Sequence, residues 1–301
     1  MESAEKQKRH KNVPDVKIEE IGIYINFDKQ TSVAMARRCV AYLGDRGVKT
    51  VMLQRQLTEL GELAGVAGVP KDTFFSRPDC IVTLGGDGTL LGVARQVGAY
   101  ETPICGINLG KLGFLTEGDA ESCEAILARL CEGDYQLDQR MLLESQVTRE
   151  DGTVEKQSAL NDVVIKAAGI RMIDLTVAVD GELVDTFYAD GLIVATPTGS
   201  TAYSLSAGGP VADPRANIML INPICPHRLH DRAYVLPGRA VVDIRFSGRN
   251  HGIDVCADGQ VSLSINRRGR VRITRAPYKT NLILFGNMSF FKQLRRKLTD
   301  H

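Results

Sequence analysis

The apolar run Cys80-Ile81-Val82-Thr83-Leu84 leads directly into Gly85-Gly86-Asp87-Gly88-Thr89-Leu90-Leu91-Gly92. A buried strand therefore enters a turn rich in glycine, and apolar residues at helical spacing follow the turn. Glycines at such a turn let the backbone approach a phosphate closely or adopt a positive φ. Phosphoryl transfer needs a carboxylate such as that of Asp87 to accept a hydroxyl proton or to hold Mg²⁺. A simpler interpretation is a tight turn with Asp87 as a helix cap.

Two common nucleotide-binding signatures are absent from the sequence. The spacing of Gly86, Gly88 and Gly92 is one residue longer than the dinucleotide fingerprint allows, and no acid ends a second strand about 20 residues later. The Gly-x-x-x-x-Gly-Lys-Ser/Thr sequence of P-loop enzymes is also missing. Nucleotide binding must therefore be argued from other parts of the chain.

Composition and charge limit the classes of partner. The chain has 301 residues, of which 44% are hydrophobic and 24% charged, and its net charge is +1. So small a charge gives no field that attracts nucleic acid or an anionic membrane, and we expect neither as a partner. No apolar run approaches the roughly 18 residues of a membrane span, and the first 20 residues lack a hydrophobic signal core. These features predict a cytoplasmic protein.

The first part of the chain alternates between strand and helix patterns. Apolar runs and helical spacings predict strands over 21–25, 49–53, 80–84 and 103–107 and helices over 32–46 and 89–98. This alternation is typical of a parallel, Rossmann-like sheet.

After a predicted helix over 121–132 the pattern changes. Short alternating strands follow over 142–148, 163–166, 174–179, 241–246 and 271–275. Turn pairs separate them at Asp151-Gly152, Asp180-Gly181 and Asp258-Gly259. The fold class is therefore an α/β Rossmann-like N-terminal domain followed by a mainly antiparallel β C-terminal domain.

Domain boundaries follow from the same change of pattern. We expect a disordered tail over 1–18, an α/β domain with the Gly-Gly-Asp-Gly motif over 19–120, and a β-rich domain over 121–275. An amphipathic helix is predicted over 289–298.

A second dense stretch of small and polar residues lies over 189–210. The buried strand 192–195 leads into Thr198-Gly199-Ser200-Thr201-Ala202-Tyr203, which offers hydroxyls and backbone N–H groups at an expected helix start. Such a rim suits an adenine, a ribose or a phosphate. The simpler alternative is a hydroxyl-rich loop with a capping serine.

Taken together, these stretches resemble the NAD kinase family, whose members phosphorylate the 2′-hydroxyl of the adenosine ribose of NAD to give NADP. The resemblance covers nearly the whole chain, with motifs at 85–88, 106–116, 160–162, 190–192, 198–203, 223–227 and 258–260. Gly-Gly-Asp-Gly alone also occurs in diacylglycerol, sphingosine and phosphofructokinase relatives, whereas its combination with Thr-Gly-Ser-Thr-Ala-Tyr and Asn-Asp is specific. One departure is Asn161-Asp162, where the family often has Asn-Glu, so this carboxylate is one methylene shorter.

The resemblance implies a role for each motif. Asp87 is the expected catalytic residue, which takes the 2′-hydroxyl proton or orients that hydroxyl. Binding of the phosphate donor, ATP or polyphosphate, is expected at Gly85, Gly86, Gly88, Thr89 and Lys111. NAD binding is expected at Asp87, Gly88, Phe114, Asn161, Asp162, Asp190, Thr201, Ala202, Tyr203 and Ser206.

Within the implied NAD site, Asn161 and Asp162 contact the adenosine, Asp190 lies at the nicotinamide end, and Phe114 closes the pocket. The resemblance also makes 121–275 the NAD-binding domain and returns 276–301 to the α/β domain. A homodimer or homotetramer is implied as well.

No residue is assigned as a direct metal ligand, although Mg²⁺ is expected near Asp87. Cys225, His227 and His230 have a spacing that mimics a metal site, but no second pair of ligands accompanies them.

Two other functions remain open at this point. A lipid kinase of the diacylglycerol or sphingosine type shares the Gly-Gly-Asp-Gly turn, but the chain shows no basic amphipathic membrane helix and no large apolar insert. A non-catalytic regulator that binds a dinucleotide would need no Asp87, which this chain retains.

Overall fold

The computed structural model describes residues 18–27, 30–61, 63–110, 113–169, 171–228, 232–247, 252–286 and 289–299. The chain divides into two compact units. Unit 1 comprises Met1–Leu90, Thr102–Asp138 and Asn281–His301, and unit 2 comprises Leu91–Glu101 and Gln139–Thr280. The expected disordered tail falls on residues that, apart from Ile18, lie outside the described ranges.

A parallel sheet forms the centre of unit 1. Its strands are β1 (Glu20–Ile25), β2 (Lys49–Leu53), β3 (Val66–Val69), β4 (Cys80–Gly85) and β5 (Ile104–Asn108). They lie in the order β5-β4-β1-β2-β3, and each neighbouring pair is parallel. Every residue of β4 and β5 is buried, as expected for central strands of a parallel sheet covered on both faces. The short β6 (Gly118–Asp119) pairs with β5.

Helices connect or follow these strands. They are α1 (Gln30–Gly44), α2 (Gln54–Leu60), α3 (Lys71–Ser76), α4 (Asp87–Val97) and α5 (Cys123–Cys131), and α7 (Phe290–Thr299) lies near the end of the chain. The helix predicted over 32–46 is α1, which begins and ends two residues earlier. The sequence pattern does not predict α2, β3 or α3, because these short elements carry too few periodic apolar residues to be distinguished from a loop.

Unit 2 contains two antiparallel sheets. The first has the order β11-β10-β15-β18 and also includes β7 and β8. Its strands are β7 (Gln136–Thr148), β8 (Val154–Ala159), β10 (Ile173–Val179), β11 (Glu182–Ala189), β15 (Val242–Ser247) and β18 (Arg270–Leu284). Near its end, within unit 1, β18 pairs with β5 at Leu282 and Ile104.

The second sheet of unit 2 has the order β14-β13-β12-β9-β16-β17. Its strands are β9 (Asp162–Ala167), β12 (Gly191–Ala195), β13 (Ile218–Ile224), β14 (Tyr234–Pro237), β16 (Ile253–Ala257) and β17 (Val261–Ile265). The fold class predicted from the sequence is confirmed, because unit 1 has the parallel α/β sheet and all pairings of this second sheet are antiparallel.

Alternating residues of β9 and β12 belong to two different apolar clusters. Val163 and Val194 pack with residues of the first sheet in one core, whereas Val164 and Ile193 pack on the other side with Ala207. Since successive residues of a strand point to opposite faces, the second sheet is covered on both faces. This double burial explains why β12 reads as a continuous apolar run.

The Asp180-Gly181 pair forms the predicted hairpin turn. It joins Val179 to Glu182, which pair across the hairpin, and both turn residues have a positive φ, 51° and 89°. Two consecutive positive φ values define a type I′ turn, whose twist matches that of the flanking strands.

Among the helices that the structure describes, none is long and apolar enough to cross a membrane.

Candidate functional site

Asp87 is the first residue of α4 and follows β4 after a single glycine. Its Oδ2 accepts the N–H of Phe114 at 2.7 Å, and its Oδ1 accepts the N–H of Leu115 at 3.2 Å. Both donors lie on the segment after β5, which is the parallel neighbour of β4, so the carboxyl ends of adjacent strands meet here. A carboxylate has about four acceptor positions, so Asp87 can still accept a substrate hydroxyl or a metal-bound water.

The segment after β5 approaches Asp87 so closely that only glycine fits at position 113. A Cβ built on Gly113 would overlap the Asp87 carboxylate. The N–H of Gly113 donates to Thr116 Oγ1 at 3.2 Å, and Asn108 Nδ2 donates to the same oxygen at 3.3 Å. Asn108 and Thr116 are buried. These two side chains hold the segment in place, a role that their position in the 106–116 motif did not reveal.

Gly85 allows close packing within the turn. Gly85, Gly86 and Gly88 are all among the described residues, and none of them has a positive φ. A Cβ on Gly85 would overlap the side chain of Thr89. The positive φ that was one expected reason for glycine here is therefore not adopted. The close approach of a phosphate, the other expected reason, stays a prediction.

The C-terminal helix α7 contacts the segment that holds Asp87. Gln293 Nε2 donates to the carbonyl oxygen of Gly113 at 2.8 Å, and Lys297 Nζ lies 5.2 Å from the ring centroid of Phe114. The Phe114 side chain is therefore contacted by a cation from α7. Lys111, which was expected to bind the phosphate donor, lies outside the described residues.

In unit 2, three strand ends of the second sheet meet at one edge. Asp162, the first residue of β9, lies opposite Ala195, the last residue of β12. Its neighbour Val163 lies opposite Ala257, the last residue of β16. The antiparallel register thus gathers Asn161-Asp162, the residues after β12 and the turn after β16, which are distant in sequence.

The hydroxyl-rich segment 196–203 packs directly on Asn161. The backbone N–H of Thr196 donates to the Asn161 carbonyl oxygen at 2.8 Å, and Thr196 Oγ1 donates to the Leu160 carbonyl oxygen at 2.6 Å. A Cβ on Gly199 would overlap the Asn161 backbone. The 3₁₀ turn Thr198–Thr201 and the short helix α6 (Tyr203–Ser206) follow, where the sequence predicted a helix start.

Asp162 and Asp258 form a buried acidic pair at this edge. Burial and the nearby charge of Asp258 raise the pKa of Asp162 to about 7. Asp258 accepts backbone N–H groups of residues 160–162 and an N–H of Arg95. The sequence showed Asp258 only as a turn residue and a motif landmark, and gave Arg95 no role.

The remaining residues expected to bind NAD extend from this edge. Asp190 immediately precedes β12, about 17 Å along the strand from Ala195 at 3.3 Å per residue. Lys166, which lies opposite Gly191, donates to the Tyr203 hydroxyl at 3.3 Å. Asp162, opposite Ala195, and Asp190, before Gly191, therefore lie at opposite ends of the paired strands β9 and β12.

Within the hydroxyl-rich segment, exposure differs from residue to residue. Thr201 and Ala202 are half-buried, and Tyr203 and Ser206 are exposed. Ser204 is fully buried between them, and Leu205 is half-buried. Asn222 Nδ2 donates to the carbonyl oxygens of Ser204 and Ala207, which fixes the end of this segment.

Metal ligands are sparse in the described ranges. No group of three or more His, Cys, Asp and Glu side chains there is close enough to hold a metal ion. His227 packs against Tyr188, with ring centroids 5.8 Å apart, and His230 lies outside the described residues.

The fold and the residue clusters define a class of protein, a two-unit α/β and β protein that carries Gly-Gly-Asp-Gly at the end of a parallel strand. The family model of the ATP-NAD kinase N-terminal domain matches residues 21–135, and that of the ATP-NAD kinase C-terminal domain matches 160–285. An NAD kinase of Caldanaerobacter subterraneus is 38% identical over 284 residues, which cover 94% of this chain and 100% of the relative. An NAD kinase of Geotalea daltonii is 39% identical over 282 residues, covering 93% and 98%.

Solved structures show the same fold. Yeast NADH kinase complexed with NADH matches with a TM-score of 0.82 at 23% identity, over 93% of this chain and 86% of the yeast chain. An NAD kinase from Archaeoglobus fulgidus in complex with ATP matches with a TM-score of 0.72 at 26% identity, over 94% and 99%. The chain belongs to the NAD kinase family, which confirms the resemblance found in its sequence.

Proposed function

We propose that this protein transfers the γ-phosphoryl group of ATP to the 2′-hydroxyl of the adenosine ribose of NAD, which forms NADP and ADP. Membership of the NAD kinase family supports the substrate and the reaction. The ATP complex of the archaeal relative supports ATP as the donor. Inorganic polyphosphate remains the alternative donor.

The observation that carries the proposal is the carboxylate of Asp87, the first residue of α4. The backbone N–H groups of Phe114 and Leu115 hold it in a fixed orientation. In this role Asp87 accepts the proton of the 2′-hydroxyl, or orients that hydroxyl toward the γ-phosphorus. An ionised aspartate is a weak base, but phosphoryl transfer depends more on positioning and charge neutralisation than on deprotonation. Oxygens held in a fixed orientation suit that requirement.

The donor is assigned to the turn at the start of α4. The turn that carries Gly85, Gly86, Gly88 and Thr89 lies at the positive end of the dipole of α4, where phosphates bind well. Lys111 is proposed as a further phosphate partner. Mg²⁺, when bound, neutralises charge on the donor phosphates. We assign its protein contact to Asp87, through water, because Mg²⁺ in such sites keeps several waters and is bound by few carboxylates.

NAD is assigned to Phe114 and to the clusters of unit 2. The carboxylate of Asp162 can accept ribose hydroxyls, and the amide of Asn161 can read an adenine edge. Asp190 is proposed at the nicotinamide end, since it lies at the opposite end of β12. Thr201, Ala202, Tyr203 and Ser206 are proposed to line the dinucleotide between these ends.

The setting of the enzyme is also a proposal. We infer a cytoplasmic homodimer or homotetramer with NAD and ATP as its small-molecule partners, and no nucleic-acid or membrane partner. The domain assignment of 19–120 with 276–301, against 121–275, belongs to the same proposal. Sedimentation of the purified protein tests the oligomeric state. A sedimentation coefficient of a monomer would contradict the proposed homodimer or homotetramer.

The reaction is tested by incubating purified protein with ATP, Mg²⁺ and NAD and detecting NADP with an NADP-specific dehydrogenase. NADP formation is the expected result. A parallel reaction with polyphosphate identifies the donor, and one with diacylglycerol or sphingosine vesicles tests the lipid kinase. Folded protein that binds NAD but uses neither donor would instead be a non-catalytic regulator.

The affinity for NAD is expected to depend on pH through Asp162. A ribose hydroxyl donates best to the ionised carboxylate, and the pKa of this group is raised to about 7 by burial and by Asp258. The dissociation constant for NAD should therefore rise about tenfold per pH unit as the pH falls below 7, and level off above it. Calorimetric titration from pH 5.5 to 8.5 measures this.

The matched control for the pH experiment is Asp162→Asn, which cannot ionise. It should bind NAD more weakly at pH 8 and lose the pH dependence near 7. A wild-type dissociation constant that stays flat across this range would remove Asp162 from contact with the ribose.

A further inference from the structure

Asp258 has contacts that a turn residue does not need. Its side chain is 0% exposed. Oδ2 accepts the N–H of Leu160 at 3.0 Å, and Oδ1 accepts the N–H groups of Asn161 at 2.8 Å and Asp162 at 3.3 Å. Its own N–H donates to the Asp162 carbonyl oxygen at 3.0 Å. One carboxylate thus binds three consecutive backbone donors where β9 begins.

A cation on another element completes the group. Arg95 Nη1 donates to Asp258 Oδ2 at 3.2 Å, and Arg95 Nη2 donates to Gln260 Oε1 at 2.7 Å. The Arg95 side chain is only 10% exposed. A buried carboxylate is costly unless its charge is paired and its oxygens are hydrogen-bonded, and here both conditions are met. Removing one partner would leave the others uncompensated.

The backbone at Asp258 has the conformation of an Asp-Gly hairpin turn, with the same φ as Asp180. Its φ is 51°, in the left-handed region that residues other than glycine seldom adopt. Aspartate tolerates this conformation better than most residues. What distinguishes Asp258 from Asp180 is a buried and fully paired carboxylate next to proposed ligand-binding residues, which fits a functional constraint better than a simple hairpin turn.

We propose that Asp258 is a positioning residue for NAD, whose carboxylate, with Arg95 as its counter-ion, fixes Asn161 and Asp162 in the orientation that holds the substrate adenosine. This inference rests on the proposed function and adds residues that the resemblance did not place in the site. Because side-chain direction follows from the backbone of β9, fixing the N–H groups of 160–162 fixes where the amide and the carboxylate point.

The same arrangement gives Asp258 an electrostatic effect on its neighbour. Among the described residues, the charged and titratable groups that interact at this edge are Asp258, its partner Arg95 and the Cys256 thiol of β16. The negative charge of Asp258 adds to burial in raising the pKa of Asp162. Removing that charge should therefore lower the pKa of Asp162 toward its usual range.

The test is Asp258→Asn, with the dissociation constant for NAD measured by calorimetry from pH 5.5 to 8.5. The amide cannot accept on both atoms, so at pH 8 the dissociation constant should rise about 10- to 100-fold. The midpoint of the pH dependence should move to lower pH. In steady-state assays with saturating ATP and varied NAD, kcat should change much less than KM for NAD.

Asp180→Asn is the matched control. Asp180 also has a φ of 51° in an Asp-Gly turn of unit 2, and it accepts one N–H, from Val241. It should leave the NAD dissociation constant and its pH midpoint unchanged, because Asp180 lies in the β10–β11 turn.

Several outcomes would overturn the proposal. A folded Asp258→Asn protein with wild-type NAD affinity and pH midpoint would do so, as would one that loses kcat while keeping its affinity. If circular dichroism shows that Asp258→Asn does not fold, Arg95→Lys decides: weaker NAD binding supports the proposal, and unchanged binding overturns it. Failure of the proposed function can be distinguished from failure of the Asp258 proposal, because in the first case the wild-type protein itself would form no NADP.

Discussion

Asp87→Asn is expected to lower kcat about 10²- to 10⁴-fold while leaving the dissociation constant for NAD within about threefold of wild type. The amide keeps the size and one acceptor oxygen of the carboxylate, so it can still accept one of the N–H groups of Phe114 and Leu115. It cannot take a proton or carry negative charge. Steady-state assays and calorimetric titration with NAD measure the two quantities.

The control is Asp72→Asn. Asp72 is an exposed carboxylate in the first turn of α3, also in unit 1, so it repeats the loss of an acid near a helix N-terminus away from the site. It should retain wild-type kcat. Wild-type turnover in Asp87→Asn would remove Asp87 from the reaction, and loss of NAD affinity without loss of kcat would assign it to binding alone.

Gly113→Ala is expected to reduce kcat about 10²-fold or more, although residue 113 has no side chain that could take part in chemistry. The added Cβ overlaps the Asp87 carboxylate, so either the carboxylate or the segment that carries Phe114 must move. A displacement of about 1 Å in a catalytic group costs about 100-fold in rate. Overpacking should also lower the free energy of unfolding by about 1–3 kcal/mol.

Gly44→Ala is the matched control for this substitution. Gly44 is the last residue of α1, and a Cβ there meets no atom within 4 Å. This variant should keep its activity and be as stable as wild type or slightly more stable, because alanine favours a helix over glycine. Thermal unfolding with steady-state assays compares the two variants. Full activity in Gly113→Ala would show that the reaction does not depend on the observed position of Asp87.

The long, periodic elements could be predicted from the sequence. The spacing of apolar residues indicates a strand in β1, β2 and β4 and a helix in α1 and α4, without ambiguity between the two. Motif residues were identified as a set because they are small, polar and densely spaced, and the family resemblance supplied their roles. The segment 54–76 escaped prediction because short elements are specified by the packing around them.

The supporting contacts of the site could not be predicted. Asp258 meets residues 160–162 only because antiparallel pairing sets β16 beside β9, and a register is fixed by the packed sheet. Arg95 is separated from Asp258 by 163 positions. The need for glycine at 113 likewise depends on where the Asp87 carboxylate lies in three dimensions. Such constraints come from tertiary structure, which a single sequence does not display.

The most direct test of the central claim is a single-turnover reaction of the wild-type protein with [γ-³²P]ATP, Mg²⁺ and NAD, with the products separated by chromatography. We predict that the label appears in NADP, one phosphate per ATP consumed, and that Asp87→Asn abolishes this transfer within the same time. Label that appears only in inorganic phosphate, or remains in ATP while NAD is bound, would contradict the account.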